Sequence, residues 1–335
     1  MLATGPLGIG GSGANDALIL LLALFIEAIV GDLGILFRVI PHPVAAFGRL
    51  VGALDRRLNR EIRSERNRIL RGAVVVIVLI LLVASLGWAV HLFVREVPFG
   101  EALELAVLVI LIAQRGLFDH VKRVGAALRE DGIDAGRAAV GHIVGRDVKG
   151  LDEHGVCRAA IESCAENFND GVLAPVFWYV LLGLPGLMMY KAVNTMDSMI
   201  GFTTPRHRAF GMAAARLDDA LNFFPARISG HVIALAALFV PTANAARAVK
   251  VMWSDAGKHR SLNAGWPEGA MAGALDLALG GPRSYEGEVV PDPWIGGGRA
   301  RANHRDIRRA LYMFTVACLI NAGLVAGLIL LHLSA

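Results

Sequence analysis

Residues 72–94 read GAVVVIVLILLVASLGWAVHLFV, a run without an acid, a lysine or an arginine. At about 1.5 Å per residue, a helix of this length crosses a hydrocarbon core of about 30 Å. The rest of the chain agrees with that reading. Of its 335 residues, 55% are hydrophobic, and the mean hydropathy is +0.54. A soluble domain of this length is less apolar, so the fold class expected is an all-α integral membrane protein.

Working outward, Ala310–Leu333 is a second span, and Ala17–Phe37 is a third that carries Glu27 and Asp32. Ala102–Phe118 is shorter, with Glu104 near its start. Val172–Tyr190 and Gly230–Ala246 are weaker, with Pro and Gly inside or at their edges. The expectation is four to six membrane segments in a single membrane-embedded domain over 1–335. Some segments are re-entrant or broken, and the loops between them are helical and cytoplasmic.

Between residues 38 and 71, nine arginines face only Asp55, Glu61 and Glu65. Short Lys/Arg-rich loops stay cytoplasmic, so this loop is read as inside and the N-terminus as outside. Residues 119–171 then face the cytoplasm, and the last helix leaves from RARANHRDIRRA and ends outside. Six full spans put residues 191–229 outside. If Val172–Tyr190 and Gly230–Ala246 dip in and return, everything from 119 to 309 is cytoplasmic. Irregular backbone is tolerated at membrane depth where it lines a protein cavity, and the re-entrant arrangement is the preferred one. The N-terminus lacks a basic region ahead of its apolar stretch, so the first helix reads as uncleaved. Orientation and contact with anionic lipid account for the basic loop without nucleic acid. Cys157, Cys164 and Cys318 give neither a disulfide framework nor a CxxC spacing, and read as small apolar residues in packed helices.

The polar information crowds into 145–283. It opens with GRDVKGLDEHGVCRAAIESCAENFNDG, where Asp152 is a suitable N-cap. Arg158, Glu162, Glu166 and Asp170 follow at i, i+4, i+8 and i+12, on one helical face. Carboxylates at a membrane boundary need a base, a metal or a hydrogen-bonding substrate. Glu162 is read as the scaffold partner of Arg158, whereas Glu166, Asn167 and Asp170 are read as functional. In YKAVNTMDSMIGF, Lys191, Asn194 and Asp197 or Ser198 again share a face. Such residues can merely snorkel and cap, but four oxygen-bearing side chains in five residues suit a hard cation, and Asp197 is the best single candidate for a Mg²⁺ ligand. In TTPRHRAFGMAAARLDDALNFFPARISG, Arg206 and Arg208 are candidate phosphate binders, with lipid contact as the competing reading. Asp218, Asp219 and Asn222 follow Arg216, with Asp218 and Asn222 at i, i+4. Asn263, Trp266, Pro267 and Glu268 are read as a loop before a small-residue helix that Gly280–Gly281–Pro282 ends. Gly296–Gly297–Gly298 is a weak phosphate cradle. No Walker A, HExxH or GxSxG pattern occurs.

Taken together, GRD…RAAIESCAENFNDGVLAPVFWYVLLGLPG, YKAVNTMDSMIG, RHRAFGMAAARLDDALNFFPAR and SLNAGWPEGAMAGAL resemble the CobD (CbiB) family of cobalamin biosynthesis, the adenosylcobinamide-phosphate synthases. Gly31-Asp32, His42-Pro43-Val44 and Gly48-Arg49 look like the same family's N-terminal pattern. The resemblance covers nearly the whole chain. It departs at Leu33 (usually Pro), at Met196 (usually Leu) and at Val148, where a usual threonine hydroxyl is missing.

The resemblance implies ATP- and Mg²⁺-dependent amide ligation in a bacterial cytoplasmic membrane. Adenosylcobyric acid would be joined to (R)-1-aminopropan-2-ol O-phosphate or a similar amino-alcohol phosphate. On this reading Glu166, Asp197 and Lys191 are catalytic. Asn167, Asn194, Ser198, Arg206, Arg208, Arg216 and Asn263 bind substrate or phosphate, and Asp170, Asp197, Asp218 and Asp219 bind metal. Which carboxylate is base and which is ligand stays open. Beyond the lipid bilayer, other late cobalamin-pathway membrane enzymes are candidate partners. A transporter or sensor is the rival class, but it would show repeat-related broken helices, and no internal repeat is visible. A non-catalytic relative is a further alternative, against which the retained acids and asparagines argue.

Overall fold

The computed structural model describes residues 13–31, 37, 41–145, 147–285 and 288–334. Asp32, Leu33, Arg38 and Arg146 lie outside the described residues. The described chain is mainly helical, and five helices are long and apolar enough to cross a membrane: Gly13–Val30, Glu65–Glu96, Glu153–Ile200, Met212–Phe239 and His304–Ser334. The all-α membrane class and the expected number of segments both hold. The chain forms two compact units that interleave in sequence, one from 1–113, 174–222 and 325–335, the other from 114–173 and 223–324.

The first unit contains α1 (Gly13–Val30), α2 (Pro43–Leu58), α3 (Glu65–Glu96), α4 (Gly100–Leu111), α8 (Ala174–Ile200) and the start of α9 (Met212–Ala236). Val75, Val76 and Leu79 of α3 bury against Val193, Met196 and Ile200 of α8. The opposite face of α3 leaves Leu81, Leu82, Leu86 and Phe93 exposed. An apolar surface of this extent belongs in lipid.

Helix α8 is broken. Gly183 sits at φ 67°, ψ −159°, two residues before Pro185, a conformation open to glycine and closed to residues with a Cβ. In a straight helix, residues eight apart lie about 12 Å apart along the axis. Here a Cβ on Gly186 would lie 2.6 Å from the Trp178 carbonyl oxygen, so the two halves bend sharply towards each other.

The second unit holds α5 (Gln114–Glu130), α6 (Ile133–Val140), α7 (Glu153–Phe168), α10 (Ala245–Asp255), α11 (Gly265–Leu275), the rest of α9 and most of α12 (His304–Ser334). Helix α7 runs through its core, with Cys157, Ile161, Cys164 and Phe168 buried, as expected for the cysteines. Two short antiparallel strand pairs follow α11, joining Leu279–Gly280 to Trp294–Ile295 and Arg283–Tyr285 to Glu288–Val290.

Several segment boundaries need correction. The first helix ends at Val30, with Gly31 at φ 80°, and residues 32–36 of the segment read at 17–37 lie outside the described residues. Residues 102–118 are two helices, because Ile112 takes an extended backbone (φ −88°, ψ 148°) between α4 and α5. The 12-residue α4 is about 18 Å long, too short to cross alone. The segment read at 230–246 belongs to an apolar helix over Met212–Phe239, and the chain breaks before α10. Trp266, Pro267 and Glu268 lie inside α11, which ends at Leu275, not at Gly280–Pro282. Asp276 closes it with φ 60°, and Gly280 is already in a strand.

Candidate active-site residues

In the second unit, α7 begins as its sequence dictates. Asp152 caps it, its Oδ1 accepting the Gly155 N–H at 2.7 Å. The acidic stripe then divides. Glu162 is buried, and its Oε1 accepts the Gly280 N–H at 2.7 Å. The expected Glu162–Arg158 pairing is thereby corrected. Arg158 donates to the Ala300 carbonyl at 2.5 Å and lies 5.2 Å from the Trp294 ring centroid. Glu166 is exposed, while Asn167 and Asp170 are half-buried. Asn167 donates to the Ser163 carbonyl and hydroxyl at 2.9 and 3.1 Å, and the Ser163 hydroxyl donates to the Ile143 carbonyl at 2.9 Å.

Asp170 lies in a π-helical turn, Asn169–Leu173, that ends two residues before Pro175. Pro175 has no N–H for the Gly171 carbonyl four residues back, and its ring crowds that carbonyl. A widened turn relieves both problems, and such turns recur at functional sites. Asn263, also in this unit, is buried and accepts weakly from Arg227 at 3.4 Å. The Gly296–Gly298 cradle holds the protein's own acid: the Gly296 N–H donates to Asp255 Oδ2 at 2.8 Å.

In the first unit, the C-terminal half of α8 and the start of α9 meet through polar side chains. Asp218 accepts from the amides of Asn222 at 2.9 Å and Asn194 at 3.4 Å. The buried Tyr190 hydroxyl donates to Asn222 Oδ1 at 3.0 Å. The i, i+4 pairing of Asp218 with Asn222 was readable from sequence. Tyr190 was not, because its role depends on α9 arriving opposite α8. Asp197 is half-buried, and a Cβ on Gly201 would lie 1.9 Å from its Oδ1, so only glycine leaves that carboxylate room. Lys191 and Asp219 are half-buried; Ser198 and Arg216 are exposed.

The loop 201–211 between these helices is anchored to the α2–α3 corner. Arg206 donates to Asp55 at 2.7 Å, and His207 Nε2 lies 3.6 Å from the same carboxylate. Asn59 and Arg68 both donate to the Arg206 carbonyl. Burial pushes the Asp55 carboxyl up, but the hydrogen bonds from Arg206 and Asn59 and the charges of Arg206 and His207 outweigh it, and its pKa falls below the ordinary value. Arg208 pairs with Glu65 at 3.3 Å on the rim of a polar pocket that Arg68 and Thr203 also line.

Among the described residues, no three His, Cys, Asp or Glu side chains gather as a metal cage. Mg²⁺ does not require one, since it commonly takes one or two carboxylates together with substrate phosphates and water. The hard oxygens of Asp197 and Asp218 fit that pattern.

Residues 20–314 match the family model described as CobD/Cbib protein. The chain belongs to the CobD/Cbib family. Among its relatives, the "Cobalamin biosynthesis protein CobD" of a Sinorhizobium species is 50% identical over 314 residues, covering 93% of this chain and 97% of its own. The protein of that name from Rhizobium meliloti (strain 1021) is 47% identical over 308 residues, with 91% and 94% covered. That of Rhodobacter capsulatus is 41% identical over 315 residues, with 94% and 98% covered. No solved structure matches the chain. The CobD/Cbib match spans every candidate residue named above, from Glu162 to Asn263.

Proposed function

We propose that this CobD/Cbib chain is an ATP- and Mg²⁺-dependent amide ligase joining adenosylcobyric acid to an amino-alcohol phosphate, giving adenosylcobinamide phosphate. Family membership supports a role in cobalamin biosynthesis. The observation that carries the finer reading is the Tyr190–Asn222–Asp218–Asn194 network, built where two membrane helices meet. A carboxylate is held and oriented there by two amides, at a cost a purely structural helix pair has no reason to bear.

The chemistry sorts the residues. A carboxylate is a poor electrophile, so the corrinoid propionate must first take a phosphoryl group or its equivalent from ATP. The amine then forms the C–N bond as phosphate leaves. Asp197 and Asp218 would hold Mg²⁺, with Asp219 as a further candidate in the same unit; Asp170, in the other unit, is a separate candidate. Bound there, the ion would neutralise phosphate charge. Lys191, Arg208 and Arg216 supply positive charge for phosphate groups. Glu166, exposed on α7, takes the proton that the attacking amine must lose. Asn167, Asn194, Ser198 and Asn263 orient polar groups of the substrates. Arg206 serves the loop through Asp55 and contributes charge at the same time.

The deciding experiment incubates the purified protein with adenosylcobyric acid, the amino-alcohol phosphate, Mg²⁺ and ATP, and measures product mass. Absence of the amide under every metal and nucleotide condition would sink the proposal. Asn222→Leu removes the residue that links Tyr190 to Asp218. It is expected to lower turnover about 10–100-fold and to raise the Mg²⁺ concentration needed for half activity. An unchanged Mg²⁺ titration would free Asp218 from metal binding.

Soluble substrates also require 201–211 to face the cytoplasm. The re-entrant arrangement puts it there, and it keeps the basic start of α12 on the same side. In a Cys318→Ser background, with Cys157 and Cys164 buried and silent, Thr203→Cys is expected to react with an impermeant thiol reagent only from the cytoplasmic side. Labelling from outside would overturn this orientation.

A further inference from the structure

Helices α5 and α12 enclose a groove of about 430 Å³ that the proposed chemistry does not use, within the size range of small-molecule sites, roughly 300–1,000 Å³. One wall comes from the α5 face Phe118, Lys122, Ala126 and Arg129; the other comes from Arg308, Leu311 and Tyr312 of α12. The helices approach closely at the groove floor, where a Cβ on Gly125 would stand 3.4 Å from Ile307 Cγ2. Lys122 and Arg129 lie about one turn on either side of Gly125. The interior is mainly apolar, and its charged lining is basic: three permanent cations beside His304 and the neutral Thr315, with no acid among the lining residues. Arg129 pairs with Glu130 outside the groove. Lys122 and Arg308 make no ion pair among the described residues.

Its place on α12 narrows the occupant. Arg308 stands in the first turns of this membrane-crossing helix, in a stretch where Arg299, Arg301, Arg305, Arg308 and Arg309 meet only Asp306. Such a stretch marks the cytoplasmic face, whose leaflet carries the anionic lipids. Tyr312 follows one turn later and is 60% exposed, an amphipathic ring where interfacial aromatics belong. From there the helix continues apolar into the bilayer.

We propose that this groove is a binding site for one anionic glycerophospholipid. Its phosphodiester lies among Lys122, Arg129 and Arg308, and the start of an acyl chain lies along Phe118, Leu311 and Tyr312. Apolar walls alone would accept any lipid. The three cations make the site selective for a negatively charged headgroup. This proposal is independent of the ligase reading, because none of its residues belongs to the candidate site.

The test is native mass spectrometry of the full chain in detergent, exposed to equal amounts of phosphatidylglycerol and phosphatidylcholine. One phosphatidylglycerol per chain is expected to be retained, with a preference of at least about tenfold over phosphatidylcholine. The triple variant Lys122→Gln, Arg129→Gln, Arg308→Gln changes exposed side chains only, and should lose that preference while staying monodisperse. Ala126→Trp fills the groove and should lose the bound lipid with all three charges kept. Equal retention of the two lipids by the natural chain would overturn the proposal. So would an unchanged preference in the triple variant, or displacement of the lipid by glycerol 3-phosphate at the same concentration, which would mark a soluble phosphate-ester site.

Discussion

Glu166→Gln and Asp197→Asn are each expected to lower amide formation by at least about a hundredfold while the protein remains folded. Removal of a general base costs about 10²–10⁴ in rate, and loss of one preorganised electrostatic group costs about 10²–10³. Both side chains keep nearly the same size in these variants. Glu166 is exposed on α7 and Asp197 is half-buried near the end of α8, so neither change opens a cavity. The contrast residue is Glu162, one turn before Glu166 on the same stripe. Its carboxylate holds a buried backbone N–H of Gly280, and Glu162→Ala leaves that donor without its acceptor, at a cost of about 1–3 kcal/mol. The expected pattern is therefore a folded, inactive Glu166→Gln and a less stable Glu162→Ala whose folded fraction still turns over. Natural rates in both Glu166→Gln and Asp197→Asn, measured as product mass against time, would remove these residues from the chemistry. A rate loss in Glu162→Ala equal to that of Glu166→Gln would show that the stripe acts as one unit.

That division of the stripe shows how far local sequence reaches. The i, i+4 spacing put Glu162, Glu166 and Asp170 on one face, and Asp152 announced the start of α7. Spacing also suggested Arg158 for Glu162, since no sequence rule brings Gly280 to a carboxylate 118 positions earlier. Local pairing lost to a long-range contact. The π turn at Asn169–Leu173 had a signal in Pro175, whose missing N–H disfavours an ordinary turn against Gly171. Gly183 and Pro185 likewise announced the break in α8. The boundary at Ile112 had no glycine or proline to mark it. What changes there is the pattern: uniformly apolar from Leu105 to Leu111 in α4, then Leu117, Val121, Val124 and Leu128 at helical spacing among charges in α5. A shift from all-round to one-sided hydrophobicity is itself a boundary between a buried helix stretch and an amphipathic helix.

Asp55 decides how the 201–211 loop is held, and Asp55→Ala is expected to destabilise the protein by about 2–3 kcal/mol. The Asp55 carboxylate accepts from Arg206 at 2.7 Å and from Asn59 at 2.8 Å. Asn59 in turn accepts from the buried Arg68 at 2.9 Å. Without Asp55, cationic Arg68 and Arg206 remain at this corner with no carboxylate between them. The Arg206 side chain is 44% exposed, which keeps the expected cost below that of a fully buried pair. The pH dependence has a definite sign. The folded-state pKa of Asp55 is lowered from its ordinary 3.8, so its contribution is present above about pH 4 and is lost as pH falls through the folded value. Asp55→Ala should accordingly flatten the acid side of the unfolding-midpoint profile in detergent.

The same pair discriminates between the two readings of Arg206. If Arg206 acts through Asp55, the double variant with Arg206→Ala should be more stable than the sum of the single losses implies, by about 0.5–3 kcal/mol. Additive losses, with a raised KM for the amino-alcohol phosphate in Arg206→Ala alone, would make Arg206 a phosphate ligand instead. Since this loop joins the helix bearing Asn194 and Asp197 to the one bearing Asp218, Asp55→Ala should also weaken Mg²⁺ dependence, although Asp55 itself meets no substrate.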